Sequence, residues 1–343
     1  MDHKERFHAT IERRPVDRPA TWLGIPVTDA LPNLFQYFSV GSVHELIVKL
    51  DDDVAPVELP YHSPTSNAIY MAFDFAKKGA LSENERTLTA PGFFEDYDDP
   101  EAADKFDWPD PTKYIDPEEC RRAVEDVPPG RAVLGVLWSA HFQDTCAAFG
   151  MESALMKMYD SPDLVMAVAD RIVNFYLKAN AIFYEATRGK LDAVLIGNDF
   201  GAQQALILSA KMIRKFAFSG TRKLVDQAHT YGLKVIHHSC GAVRDIIPDL
   251  IDIGVDAIHP IQALAAGMEA ESLKKDFGDR VSFCGGVDHQ NLLVSGSAAE
   301  VRQKVLELRE IFPTGLVISP SHEAILPDIA PANIEAMFQA ARE

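Results

Sequence analysis

With 343 residues, 47% of them hydrophobic, the chain has ample apolar material for a sizeable core, and its length suits one large α/β barrel without forcing a split. Acidic residues number 51 against 33 basic ones, and the resulting formal net charge of −18 repels a phosphate backbone and argues against nucleic-acid binding. No apolar run is long enough to span a bilayer, the N-terminus lacks an apolar signal region, and four scattered cysteines make no disulfide framework, so a soluble cytoplasmic protein with reduced thiols is expected.

In chain order, Phe7 to Arg14 reads as a short helix ended by Pro15, and Arg18 to Ile25 as a first strand. Ser42 and Glu45 have the spacing of a capping box ahead of Leu46, Ile47, Val48 and Leu50, and Asp53 to Leu59 is a second, weaker strand. Residues 61–130 are acidic and proline-punctuated, and are read as an insertion wrapped on the surface. Apolar strands are then predicted at Ala132 to Trp138, Ala193 to Gly197, Leu233 to His238, Val255 to His259, Val281 to Cys284 and Leu316 to Ser319, with helical stretches between nearly all of them. Ser161-Pro162-Asp163 caps one helix, Ser297 and Glu300 form a second capping box, and Pro331 opens the last helix.

Strands alternating with helices imply a parallel sheet, and eight of them imply a (β/α)8 TIM barrel with an N-terminal extension and a surface insertion, expected as a single domain over 1–343. An open doubly wound sheet is the alternative, but no Gly-x-Gly-x-x-Gly follows any strand. In such a barrel the chemistry collects at the C-terminal ends of the strands. The residues found there are Trp138 with His141, Asn198-Asp199, His238-Ser239-Cys240, His259 with Gln262, Cys284 with Asp288, and Ser319-Pro320-Ser321-His322-Glu323.

Side chains two apart on a strand share a side, so His238 and Cys240 project together while His237 faces the outer helices. Alone, that pair reads equally as a core histidine beside a small buried thiol. His322, at the mouth of the last strand, supplies a third donor, and three protein ligands with one open position are what a catalytic zinc site needs. Cys284 is the rival third ligand, although Gly285-Gly286 after it suggests a close backbone approach. Asp199 and Glu323 are the candidates for general acid/base work, with Asp199 alternatively orienting a ligating histidine. Trp138, Asn198, His259, Gln262 and Asp288 are candidates for substrate contact, Asp288 doubling as a helix cap.

These residues sit in blocks that together resemble the uroporphyrinogen decarboxylase-like superfamily, which includes the corrinoid-linked methyltransferases. The blocks are Glu5-Arg6-Phe7 with Pro15-Val16-Asp17-Arg18-Pro19, Gly150-Met151-Glu152, Asn198-Asp199-Phe200-Gly201-Ala202-Gln203, His238-Ser239-Cys240-Gly241, Pro260-Ile261-Gln262, Cys284-Gly285-Gly286-Val287-Asp288, and Ser319-Pro320-Ser321-His322 with Asn333-Ile334-Glu335-Ala336. The resemblance runs almost end to end and implies the same barrel. A true tetrapyrrole decarboxylase carries an arginine-rich stretch after its first tryptophan, whereas here Trp22 is followed by Leu23-Gly24-Ile25-Pro26-Val27-Thr28-Asp29. The methyltransferase branch is therefore the better match.

That branch binds zinc through a His-x-Cys pair and a later cysteine, so the resemblance implies His238 and Cys240 as ligands and His322 in the place of the second cysteine. Exchanging a thiolate for neutral imidazole makes the ion more electrophilic, which weakens the case for coenzyme M as acceptor. The expected activity is zinc-dependent methyl transfer between a small methylated donor, or a thiol acceptor, and a corrinoid protein. The chain has no Asp-x-His-x-x-Gly corrinoid-ligating sequence, so methylcobalamin would come on that partner. The other readings are a metal-free decarboxylase of a small acid and a non-catalytic corrinoid- or tetrapyrrole-binding barrel. A homodimer is implied by the resemblance alone.

Overall fold

The computed structural model describes residues 1–76 and 89–343, so part of the expected insertion, 77–88, lies outside the described residues. Nine strands are described: β1 (Ile25–Pro26), β2 (Val54–Glu58), β3 (Ala132–Trp138), β4 (Ala193–Gly197), β5 (Lys234–His238), β6 (Ala257–Ile261), β7 (Ser282–Val287), β8 (Leu316–Pro320) and β9 (Ala324–Ile325). Strands β2 to β8 pair in sequence order as one seven-stranded, wholly parallel sheet, and helices connect most of them across its outer face. Most of these strands fall where the apolar runs predict them. The exceptions are β6, which begins and ends two residues later than expected, and β7, which runs on through both glycines to Val287.

The eighth position of the ring is where the structure departs from expectation. Arg18 to Ile25 does not form a regular strand. It makes a single parallel bridge from Thr21 to Ile318, and two residues of β1 pair with β9. On the other flank, side chains replace a ladder. Asp53 accepts the Thr21 N–H at 2.9 Å and Asp52 accepts the Leu23 N–H at 2.8 Å, so two fully buried carboxylates tie this segment to the start of β2. Arg6 and Arg18 neutralise Asp53 at 2.7 and 2.6 Å, which is how a buried charge is tolerated there.

The barrel interior is packed, not hollow. Val54, Leu134, Val136, Leu195, Ile236 and Val317 fill it, and Trp22 with Phe7 and Ile11 joins the same cluster. Each fully buried aliphatic contributes about 1.5–3 kcal/mol over its exposed state. Phe7 and Ile11 belong to a helix that runs His3–Ile11, earlier than predicted, because Asp2 caps it by accepting the Glu5 N–H. Ser297 and Glu300 form the expected capping box, and Pro331 does open the last helix, Pro331–Arg342. At Glu45 the carboxylate reaches Gly41 instead of Ser42, and Ser161 donates to Asp98 instead of capping its helix.

Outside the ring, the described part of 61–130 lays an aromatic group, Phe73, Phe75, Phe94, Phe106 and Trp108, against the long helix Pro162–Ala186. Phe73 meets Phe175 there with ring centroids 4.8 Å apart. No helix among the described residues is long and apolar enough to cross a membrane.

Candidate metal centre

The C-terminal ends of β4, β5, β6 and β8 bring one cluster together. His238 is the last residue of β5 and points into the mouth of the barrel, whereas His237 faces outward, fully buried and stacked on Phe200 at 6.1 Å. The alternation continues past the strand end, so the Cys240 sulfur comes to 3.4 Å from His238 Nε2. Asp199 follows β4, and its Oδ1 lies 3.2 Å from the same nitrogen while accepting the Cys240 backbone N–H at 3.0 Å. A sulfur, an imidazole nitrogen and a carboxylate oxygen therefore meet within 4.8 Å of one another.

The other nitrogen of His238 is also occupied. Its Nδ1 lies 2.9 Å from His259 Nδ1 and 3.3 Å from Glu323 Oε2, which makes a second, wholly buried group of donor atoms. Glu323 comes from the turn between β8 and β9, and its buried Oε2 makes no hydrogen bond although His322 Nδ1 stands 3.5 Å away.

Burial opposes every charge here, and the neighbours overcome it. Desolvation would raise the Asp199 carboxyl, but the hydrogen bond and charge of His238 hold it at about 2. For His238 itself, burial is outweighed by Glu323, Asp199 and Cys240, which raise it well above an ordinary histidine. The Cys240 thiol would likewise be raised by burial, yet His238 and His322 bring it below its usual value, which favours thiolate. For His259 burial dominates and the charges of His238 and His322 act in the same direction, so it lies well below the ordinary range, a neutral imidazole.

The loop carrying Cys240 is held tightly. Gln262 accepts the Gly241 N–H at 2.6 Å through Oε1 and donates to Gln203 at 3.1 Å, so both ends of its amide are committed. Gly241 has φ +85, and a Cβ there would come 2.4 Å from the Gly201 carbonyl carbon. Only glycine tolerates both conditions. Trp138 and Ser139 end β3 with positive φ of 55 and 52, a strained turn that carries the indole to 5.9 Å from the His238 ring.

The remaining candidates are placed differently. Asn198 is buried, and its side-chain oxygen accepts the Phe142 N–H at 2.7 Å at the start of helix His141–Phe149. Asp288 accepts from the backbone of Gln290, Asn291 and Leu292, fulfilling its capping role. His259 is fully buried between His238 and the Trp22 ring, below the mouth. Cys284 is fully buried in the barrel interior against Ser319 Oγ at 3.4 Å, and burial drives its thiol up to about 12. His322 lies close enough to Cys240 to influence its thiol, but its Nδ1 accepts the Ala324 N–H, its ring stacks on His289, and it lies outside both groups of donors. Sequence reasoning placed Asp199 as an acid/base group and missed that it closes the donor set with His238 and Cys240. The signal available was an aspartate two residues past the end of a strand, beside the strand that bears the pair.

A parallel ring with its donors gathered on the C-terminal rim defines an α/β-barrel protein with the candidate site in the usual place for that class. The chain belongs to the uroporphyrinogen decarboxylase family, whose model matches residues 86–343. Among solved structures, a methyltransferase from Methanosarcina mazei is similar over 99% of this chain and 98% of its own, with a TM-score of 0.71 and 18% identity, a likeness of fold. A protein described as a vitamin-B12-independent methionine synthase, from Listeria monocytogenes, is similar over 96% of this chain and 95% of its own, at 12% identity and a TM-score of 0.46. Comparison with curated protein sequences gives no match.

Proposed function

We propose that the protein is a zinc-dependent methyltransferase that moves a methyl group between a small methylated substrate, or a thiol acceptor, and the corrinoid of a partner protein. The observation that carries this reading is the meeting of Asp199, His238 and Cys240 donor atoms within 4.8 Å at the barrel mouth. Nitrogen, sulfur and oxygen are the donors zinc takes, and a three-donor set leaves a position for substrate. Asp199 is about half exposed, so the set is open to the mouth, while the His259 and Glu323 side is sealed.

Asp199, His238 and Cys240 would hold the ion, with His322 beside Cys240 as the alternative ligand. When bound, zinc supplies Lewis acidity toward an oxygen or sulfur of the substrate. The chain's own residues do the rest. Trp138 walls the mouth beside His238, and Gln262 fixes the loop from which Cys240 points. Glu323, whose Oε2 stands 3.3 Å from His238 Nδ1 and 3.5 Å from His322 Nδ1, would take or return the proton of the leaving or attacking group by way of His322, the more exposed of the two rings. In this reading residues 1–343 form one domain with 61–130 inserted into it.

The second reading, a metal-free decarboxylase of a small acid, is favoured by the family match itself. Metal analysis separates the two. Zinc near one equivalent per chain, lost in Asp199→Ala, His238→Ala and Cys240→Ala proteins that still fold, supports methyl transfer. A metal-free protein that decarboxylates a small acid overturns it.

A further inference from the structure

We infer that His259 is a positioning residue: by accepting the Nδ1–H of His238, it fixes that ring so that Nε2 faces Asp199 and Cys240. The register of β5 and β6 sets His238 opposite His259, which puts the two rings side by side inside the ring of strands. Their Nδ1 atoms stand 2.9 Å apart, so one carries a hydrogen and the other a lone pair.

Glu323 decides which. Its Oε2 lies 3.3 Å from His238 Nδ1. Were the hydrogen on His259, the bare Nδ1 of His238 would face a carboxylate oxygen lone pair to lone pair, at a buried position where such repulsion is weakly screened. With the hydrogen on His238, the N–H is bonded to His259 Nδ1 and its positive end lies beside the Glu323 carboxylate, and His259 carries its own hydrogen on Nε2. His259 is fully buried and backed by the Trp22 ring at 5.2 Å, so solvent does not compete for the bond and the ring has little room to turn. Histidines that bind metals are commonly oriented by a carboxylate or carbonyl behind them. Here a second imidazole shares that duty with Glu323.

This inference rests on the metal reading above for its purpose, but the hydrogen bond itself can be read with or without metal. In uniformly 15N-labelled protein, two-bond nitrogen–proton couplings should show His259 neutral with its hydrogen on Nε2 and His238 with a hydrogen on Nδ1, before and after zinc is added. His259 protonated on Nδ1, or doubly protonated, overturns the inference. Zinc affinity measured by chelator competition gives a second test. His259→Leu, which cannot accept, should bind zinc roughly 10–100-fold more weakly. His259→Asn, whose amide oxygen can take the same hydrogen, should recover most of that loss. A His259→Leu protein that binds zinc like wild type, or equal losses in both variants, also overturns it. If wild type takes no zinc but His259 keeps its hydrogen on Nε2, the metal reading falls while the His238–His259 bond stands.

Discussion

Asp199 Oδ1 stands 3.2 Å from His238 Nε2, and the same oxygen accepts the backbone N–H of Cys240. One carboxylate thus fixes two of its neighbours, and the three donors share one small volume. Replacing Asp199 with alanine should remove a ligand and loosen the Cys240 loop together. Zinc affinity is expected to drop by more than the roughly 10–100-fold that loss of an outer partner costs. Chelator competition on Asp199→Ala checks this, and an unchanged affinity would leave Asp199 a structural cap.

The two cysteines at strand ends should behave oppositely. Cys284 is sealed in the interior with its thiol raised to about 12, while Cys240 is lowered by His238 and His322. Thiol-reactive labelling near neutral pH should modify Cys240 in metal-free protein and spare Cys284. Cys284→Ala should keep its zinc, and Cys240→Ala should lose it. Zinc retained in Cys240→Ala and lost in Cys284→Ala would restore Cys284 as the ligand.

The irregular closure of the barrel predicts a stability effect far from the mouth. Asp53 is fully buried and holds Arg6, Arg18 and the Thr21 N–H. Asp53→Ala removes the acceptor of the buried Thr21 N–H and one of the carboxylates that hold each arginine, while Arg6 keeps Asp17 and Arg18 keeps Asp51. The expected loss is that of an unsatisfied buried donor, roughly 1–3 kcal/mol. Urea unfolding should show a loss of that size, whereas a change under about 1 kcal/mol would match an exposed pair and contradict it.

Asp144 gives the clearest pH dependence. Burial raises its carboxyl from 3.8 to about 7, against the Tyr176 hydroxyl that donates to it at 2.6 Å. The unfolded chain releases this proton near 3.8 and the folded protein holds it to about 7. Between those values the folded state binds more protons, so its contribution to stability is present below 3.8 and is lost as pH rises. Asp144→Asn keeps an acceptor for Tyr176 and cannot titrate, so its urea midpoint should lack this fall. Parallel profiles for variant and wild type would contradict the assignment.

Much of the ring was legible because its strands are short apolar runs bounded by helices, and the His238 and Cys240 pairing followed from strand alternation alone. The first strand was not legible. Arg18 to Ile25 is apolar enough to pair, but the buried carboxylates of Asp52 and Asp53 take the hydrogen bonds a neighbouring strand would have made. Asn198 and Asp288 stand on the expected rim, yet a residue type cannot say whether its oxygens are taken by helix termini. His259 needed the β5–β6 register, which depends on how distant strands align and not on any local pattern.

The measurement closest to the central claim is X-ray absorption at the zinc edge on protein loaded with one equivalent of metal. The account predicts one sulfur at about 2.3 Å with nitrogen and oxygen neighbours at about 2.0–2.2 Å. It also predicts that the sulfur disappears in Cys240→Ala. A first shell without sulfur in the wild type, or a folded protein that takes no zinc at all, would contradict it.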